Sequence, residues 1–255
     1  MTLPTFRLDD KVAIVTGAGQ GIGRSIALGL ADAGAVVACA DIAFTAARDV
    51  ARELEAMGRP GLPLEVDVAE PAAIAQMVSA VSERCGRIDI LVNNAGIRVH
   101  KRVLDHTLDD WERTLRVNCT APLLASQAVA TVMRVQGGGA IVNIASQMAE
   151  VTHRCRIAYC ASKAALVQMT RVMALDWAEY GIRVNAVAPG PTKTPFTSAA
   201  TASGAMPVLA EQVPLRRMAD PDEMIGAVVY LASDAASFVT GTVLTVDGGQ
   251  SVHWR

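Results

Sequence analysis

Tyr159 and Lys163 stand four residues apart, and Ser146 precedes the tyrosine by thirteen. On a helix, positions i and i+4 project from one face, which would set a phenol beside an ammonium. A phenol ionises near ~10 and is a poor base at neutral pH. A fixed ammonium one turn away favours the phenolate. A shift of about two or three units asks for roughly 3–4 kcal/mol of charge stabilisation. One cation in a partly dry site can supply much of that. A serine hydroxyl adds a donor and lone pairs for a substrate oxygen. Together the three point to proton transfer at an alcohol or carbonyl oxygen. Ordinary amphipathic helices also carry an aromatic next to a lysine, so the elements around the trio have to separate the two readings.

Those elements alternate. Residues 11–16 (KVAIVT) read as a short buried strand, β-branched, apolar and cut by glycine. Gly17, Gly19, Gly21 and Gly23 follow, with Gln20 and Ile22 among them, and a helical run over 24–33 stops at Gly34. Strand, glycine loop and helix in that order set a helix N-terminus against the loop, where free N–H groups and the dipole hold a pyrophosphate. Turns use glycine as well. A second buried strand over 35–40 strengthens the reading, because it ends at Asp41. A carboxylate there binds the adenosine ribose hydroxyls and repels a 2′-phosphate. Neither Gln20, Ile42 nor Ala43 offers a cation to hold such a phosphate. NAD is expected over NADP, although an aspartate at this place also suits a turn or a helix cap.

Further helices are predicted over 45–57, 71–85, 108–133, 159–180 and 221–231, and strands over 62–66, 88–92, 140–145, 183–188 and 243–246. Pro122 should kink the long helix and free a backbone carbonyl near Asn118. Repeated strand–helix–strand units predict an α/β fold, a Rossmann-type doubly wound parallel sheet with helices on both faces, as one domain over residues 1–255. Ligands of such sheets bind beyond the carboxyl ends of the strands. By position alone, Asp67 with Val68, and Asn94, should lie near the adenine and ribose, though Asn93-Asn94 is also a plain turn sequence. From Thr194 to Pro214 the chain is small, polar and punctuated by proline, which reads as a flap over the site.

Composition narrows the classes. The chain has 255 residues, 51% of them hydrophobic, enough for a large core. A formal net charge of −2 gives no electrostatic case for nucleic acid or an anionic membrane. No apolar stretch approaches a membrane span, and the opening MTLPTFRLDDK lacks the apolar run of a signal peptide. The five cysteines include no CxxC pair, so reduced thiols, no metal site and a cytoplasmic location are expected.

Thr16-Gly17-x-x-x-Gly21-x-Gly23, Asn93-Asn94-Ala95-Gly96, Asn118, Ser146, Tyr159-x-x-x-Lys163 and Pro189-Gly190 occur in that order at suitable spacing over almost the whole chain. The sequence thereby resembles the short-chain dehydrogenase/reductase family in its single-domain form. The resemblance implies Tyr159 as catalytic acid/base, Ser146 as the group that positions the substrate oxygen, and Lys163 as the residue that lowers the tyrosine pKa and holds the nicotinamide ribose. It implies that Asn118 supports a proton-relay water and that Thr194 binds the carboxamide. Pro189, Gly190 and Thr192 would flank the nicotinamide, Thr192 standing where relatives often carry an aliphatic residue. It also implies a homotetramer or homodimer packed through the helices over 108–133 and 159–180, whose apolar residues (Leu115, Ala121, Leu124, Ala165, Leu166, Met169, Met173) exceed what one sheet face needs. Burial inside the monomer would account for them equally.

Two loops that should border the nicotinamide are basic: Arg98, His100, Lys101 and Arg102, then His153, Arg154 and Arg156. Either these are solvated surface cations, or Arg154 and Arg156 clamp a substrate carboxylate with their planar forks. The second reading predicts a small polyhydroxylated substrate, a sugar acid or sugar before a neutral polyol. A 3-oxoacyl thioester reductase is the alternative that Asp41 argues against, and a hydroxysteroid dehydrogenase would want a more apolar flap. A dinucleotide sensor on the same fold would not need the Ser146–Tyr159–Lys163 set.

Overall fold

The β-branched runs between glycines become seven strands of one sheet in the computed structural model, which describes residues 5–197 and 210–253. The strands are β1 (Val12–Thr16), β2 (Val36–Asp41), β3 (Gly61–Glu65), β4 (Ile90–Asn93), β5 (Gly139–Ile144), β6 (Ile182–Pro189) and β7 (Val243–Val246). Their order is β3-β2-β1-β4-β5-β6-β7, and every pairing is parallel. The winding reverses between β1 and β4, which opens a crevice at the carboxyl ends of those two strands.

Alternating side chains feed the two faces of the sheet. Ala13 and Val15 join one buried cluster with α1 (Gly21–Asp32) and α2 (Phe44–Ala56), while Val12 and Ile14 join the other with α3 (Pro71–Cys85). All five residues of β1 are buried, as a central parallel strand covered on both faces requires.

The expected long helix over 108–133 is two helices. α4 (Leu108–Leu115) is capped by Thr107, which accepts from Asp110 N–H while the Asp110 carboxylate accepts from Thr107 N–H. A π-helical turn over Arg116–Thr120 then joins it to α5 (Ala121–Gln136). Pro122 has no N–H and sits in the first turn of α5, so the chain resumes its helix there with a changed register in place of a kink in mid-helix. α6 (Ile157–Trp177) follows β5. Its depth is set by a buried chain of amides, in which Asn93 Nδ2 donates to Asn143 Oδ1 (2.8 Å) and Asn143 Nδ2 to Thr170 Oγ1 on α6 (2.9 Å).

α7 (Ile225–Ala232) packs with α1, and the short α8 (Gln250–His253) returns to the carboxyl edge of the sheet. Of the expected flap, Pro195–Thr197 form a 3₁₀ turn, and residues 198–209 lie outside the described part. All five cysteines are free. Among the described residues no helix is long and apolar enough to cross a membrane, and no group of His, Cys, Asp and Glu could hold a metal ion.

Candidate active site

The two strands at the switch point are tied together at their exits. Thr16 Oγ1 accepts from the N–H groups of Asn94 (3.0 Å) and Ala95 (3.2 Å), and Asn94 Nδ2 donates to the carbonyls of Thr16 (2.9 Å) and Gly17 (3.0 Å). The loop that follows β1 has to be bare. Gly17 and Gly21 hold φ values of 65° and 55°, where a side chain is strained. A Cβ on Gly23 would stand 2.0 Å from the Gly17 carbonyl oxygen. One on Gly19 would meet Asp41 Oδ2 at 2.8 Å.

α1 begins at Gly21 without a side-chain cap from Gln20, so its first-turn N–H groups remain for an anion. The Asp41 carboxylate is fixed at the end of β2 by N–H donors from Gly19 (2.8 Å) and Ala43 (3.0 Å). These donors, the bare loop and the fixed carboxylate fit the pyrophosphate and ribose of a dinucleotide.

A cavity of about 670 Å³ opens from this loop across the strand ends. Its wall takes in Gly17, Gln20, Gly21, Ile22 and Gly23 from the loop, and Asp41, Asp67, Val68 and Asn94 from the strand ends. Beyond β6 it takes in Pro189, Gly190, Thr192 and Thr194. The Thr192 hydroxyl is already engaged, donating to the Gly190 carbonyl at 3.1 Å.

Ser146, Tyr159 and Lys163 stand on the same wall. β5 delivers Ser146 two residues past its last residue, and α6 presents Tyr159 in its first turn with Lys163 one turn on. Ser146 Oγ accepts from Met148 N–H at 3.1 Å, and the hydroxyl's influence on the Tyr159 phenol favours the phenolate. Burial has the larger effect and pushes the phenol above its ordinary value.

Lys163 stands one turn along α6 from the tyrosine. Its ammonium donates to the Ile144 carbonyl at 2.7 Å and lies 5.9 Å from the centre of the tyrosine ring. Burial pushes the lysine itself down to about 8. The cations that favour the phenolate are Arg98 and Arg156.

Asn118 is fully buried, lies outside the cavity wall and uses its whole amide internally. Its Oδ1 accepts from Ile97 N–H (2.8 Å), and its Nδ2 donates to the Ile97 carbonyl (2.9 Å) and to Ser162 Oγ (3.1 Å). The side chain thus pins the loop after β4 to α6.

Of the two arginines expected to meet substrate, only Arg156 reaches the cavity; Arg154 is exposed and outside the wall. Cys155 between them holds φ 65°, a left-handed turn that sends its neighbours apart. In the other basic loop, Lys101 is paired with Asp110 (2.6 Å), His100 and Arg102 are exposed, and Arg98 lines the cavity. Phe196, Met148 and Gln250 also line the wall without having been expected there, as do the exposed Arg113 and Arg116. Phe196 is the lone aromatic of an otherwise small and polar stretch, a signal the sequence did carry; Gln250 has no local signal.

Comparison with known proteins agrees with this architecture. Residues 17–251 match the family described as enoyl-(acyl carrier protein) reductase, a branch of the short-chain dehydrogenases/reductases. The chain is 40% identical to D-threitol dehydrogenase of Mycolicibacterium smegmatis over 247 residues, covering 97% of this chain and 95% of that one. It is 36% identical to NAD-dependent glycerol dehydrogenase of Listeria innocua, covering 97% and 96%. A solved structure of gluconate 5-dehydrogenase from Burkholderia cenocepacia, in complex with NADP and tartrate, superposes with a TM-score of 0.93 at 38% identity over 97% of each chain. With fold and sequence in agreement, the chain belongs to the short-chain dehydrogenase/reductase family and is an oxidoreductase acting on CH–OH donors.

Proposed function

We propose that the chain is an NAD-dependent dehydrogenase that interconverts a secondary alcohol and a ketone, or a sugar and its lactone, on a small polyhydroxylated substrate. Tyr159 serves as the acid/base. The observation that carries this reading is the convergence of Ser146 and Tyr159 on the cavity that also holds the bare glycine loop and the Asp41 carboxylate. The threitol, glycerol and gluconate named for the relatives support a polyol, sugar or sugar acid.

In the oxidation direction Tyr159 takes the proton of the carbinol oxygen, and Ser146 donates a hydrogen bond that holds that oxygen in reach. The dinucleotide, when bound, supplies the hydride acceptor. Gly17, Gln20, Gly21, Ile22 and Gly23 would hold its pyrophosphate end, and Asp41, Asp67, Val68 and Asn94 its adenosine. Pro189, Gly190, Thr192, Thr194, Tyr159 and Lys163 would hold its nicotinamide end. Asn118 positions α6 through Ser162, and in this family reading it also supports a water that relays the proton. Asp41 favours NAD, since its carboxylate would repel a 2′-phosphate and neither Ile42 nor Ala43 carries a cation. The enzyme works in the cytoplasm, as a homotetramer or homodimer.

The test uses the purified protein with a panel of polyols, sugars and sugar acids and both cofactors. Tyr159→Phe should retain NADH binding and lose ~10²–10⁴ in kcat. Near-normal turnover by this variant would sink the mechanism. Wild-type kcat/KM should favour NAD⁺ over NADP⁺, with Asp41→Ala narrowing the gap; a wild-type preference for NADP⁺ rejects the cofactor assignment.

A further inference from the structure

We propose that Arg98 and Arg156 together form a carboxylate-binding subsite beside Tyr159, so that the preferred substrate is a short-chain hydroxy acid and not the corresponding neutral polyol. This rests on the dehydrogenase reading above and narrows its substrate.

Of the four arginines on the cavity wall, Arg113 and Arg116 are exposed, and Arg98 and Arg156 are the two that are half-buried. Arg7 is paired with Asp9, Arg24 with Glu53, Arg87 with Asp89 and Arg217 with Glu223. Arg98 and Arg156 have no carboxylate partner among the described residues, and residues 198–209 contain no aspartate or glutamate at all. Both are half-buried in the cavity wall.

Arg98 stacks on Phe196, 4.7 Å from the ring centre, and spends one N–H on the Phe196 carbonyl (3.0 Å). Among the described residues the remaining donors of its fork are uncommitted. Among the described residues, Arg156 Nη1 finds only the sulfur of Met148 at 3.3 Å, a weak acceptor, and its buried Nε has no partner. Loss of water pushes both groups below the usual arginine value, and Arg98 pushes Arg156 down further. Two partly desolvated like charges on one small cavity destabilise the free protein, and an anion seated between them relieves both.

An arginine fork is matched to a carboxylate, to which it can give two parallel hydrogen bonds. Position sharpens the class. Phe196, which carries Arg98, lies 6.0 Å from the Tyr159 ring, and both guanidinium charges act on the Tyr159 phenol. The acid group must therefore lie close to the oxygen that exchanges its proton, which places carbinol and carboxylate on one short carbon chain.

The test compares matched acids and polyols: D-gluconate with sorbitol, threonate with threitol and glycerate with glycerol, each with NAD⁺ and NADP⁺. In the wild type at least one acid should exceed its polyol in kcat/KM. Arg98→Gln and Arg156→Gln should each lower that acid-to-polyol ratio about ten- to a hundredfold, chiefly through KM, since a charge-assisted bond to the ground state is lost. Arg156→Lys should recover part of it. An unchanged ratio overturns the subsite. So does an equal loss on acid and polyol with the alkaline limb of the pH profile displaced upward, because the arginines would then serve only Tyr159.

If the wild type oxidises no member of the panel, the dehydrogenase reading fails separately. Calorimetric titration of gluconate and tartrate into the protein with NADH then decides the subsite. Binding that both Gln variants lose supports it, and no binding, or binding that they keep, overturns it.

Discussion

Lys163 is a buried cation with a single backbone partner, and its proton is correspondingly easy to remove, at about 8 against 10.5 for a free lysine. Below pH 8 both folded and unfolded chains carry the proton, and the cost of burying the charge is fully present. Between about 8 and 10.5 the unfolded chain keeps a proton that the folded chain has released, so this residue's contribution to stability rises with pH across that window. In cofactor-free protein, the thermal midpoint of Lys163→Met should climb less steeply with pH over that window than the wild type's. Identical slopes would contradict a depressed lysine. At this scale the sequence announces residue types and spacing: a tyrosine and a lysine one turn apart, a serine at a strand's end, an aspartate at another. It does not announce which charge faces which. Arg156 rather than Arg154 reaches the cavity because Cys155 turns left-handed, and Arg98 is held by an aromatic ring 98 residues away in sequence. Neither fact has a local signature.

Elements carry the next level of control, and the π turn over Arg116–Thr120 is the clearest case. It delivers Asn118, whose amide joins Ile97 on one side to Ser162 on the other. Ser162 in turn donates to the backbone carbonyl of Tyr159 at 2.8 Å, so the amide acts on the acid/base through one intermediate. Asn118→Ala would leave the Ile97 backbone N–H and carbonyl without these partners, a loss of about 1–3 kcal/mol. At ~2–4 °C per kcal/mol for a chain of this size, differential scanning calorimetry should record a midpoint several degrees lower. kcat should fall more than KM rises, since the reacting group loses its placement while the binding wall stays. A reduced kcat with an unchanged midpoint would point instead to direct contact with the reaction. Strands and helices were legible because a period of 2 or 3.6 repeats over many residues. The single i→i+5 turn was not, because one altered hydrogen bond leaves no period to read.

At the scale of the molecule, exposed apolar side chains argue for assembly. Of the residues expected at an interface, Ala121, Leu166 and Met173 are buried inside the monomer. On the outer side of α6, however, Leu175 is 80% exposed and Val172 48%, and Leu108 at the start of α4 is 71% exposed. Light scattering should give a dimer or tetramer mass, and Val172→Glu with Leu175→Glu should reduce it. A monomeric wild type would refute assembly. The order of the sheet was legible only as a class: alternating elements imply parallel strands, while the wall of the cavity is closed from far along the chain. Gln147 Nε2 donates to Gln250 Oε1 at 2.5 Å across 103 residues, and both side chains line the cavity. A contact of that range carries the loop-closure entropy of the whole chain between its partners. A chain stopped short of Gln250 could carry the glycine loop, the serine, the tyrosine and the lysine and still present an open trough where the pocket should be. Turnover is then a report on the closure of the cavity from the carboxyl-terminal side, and not on the presence of the reactive groups alone.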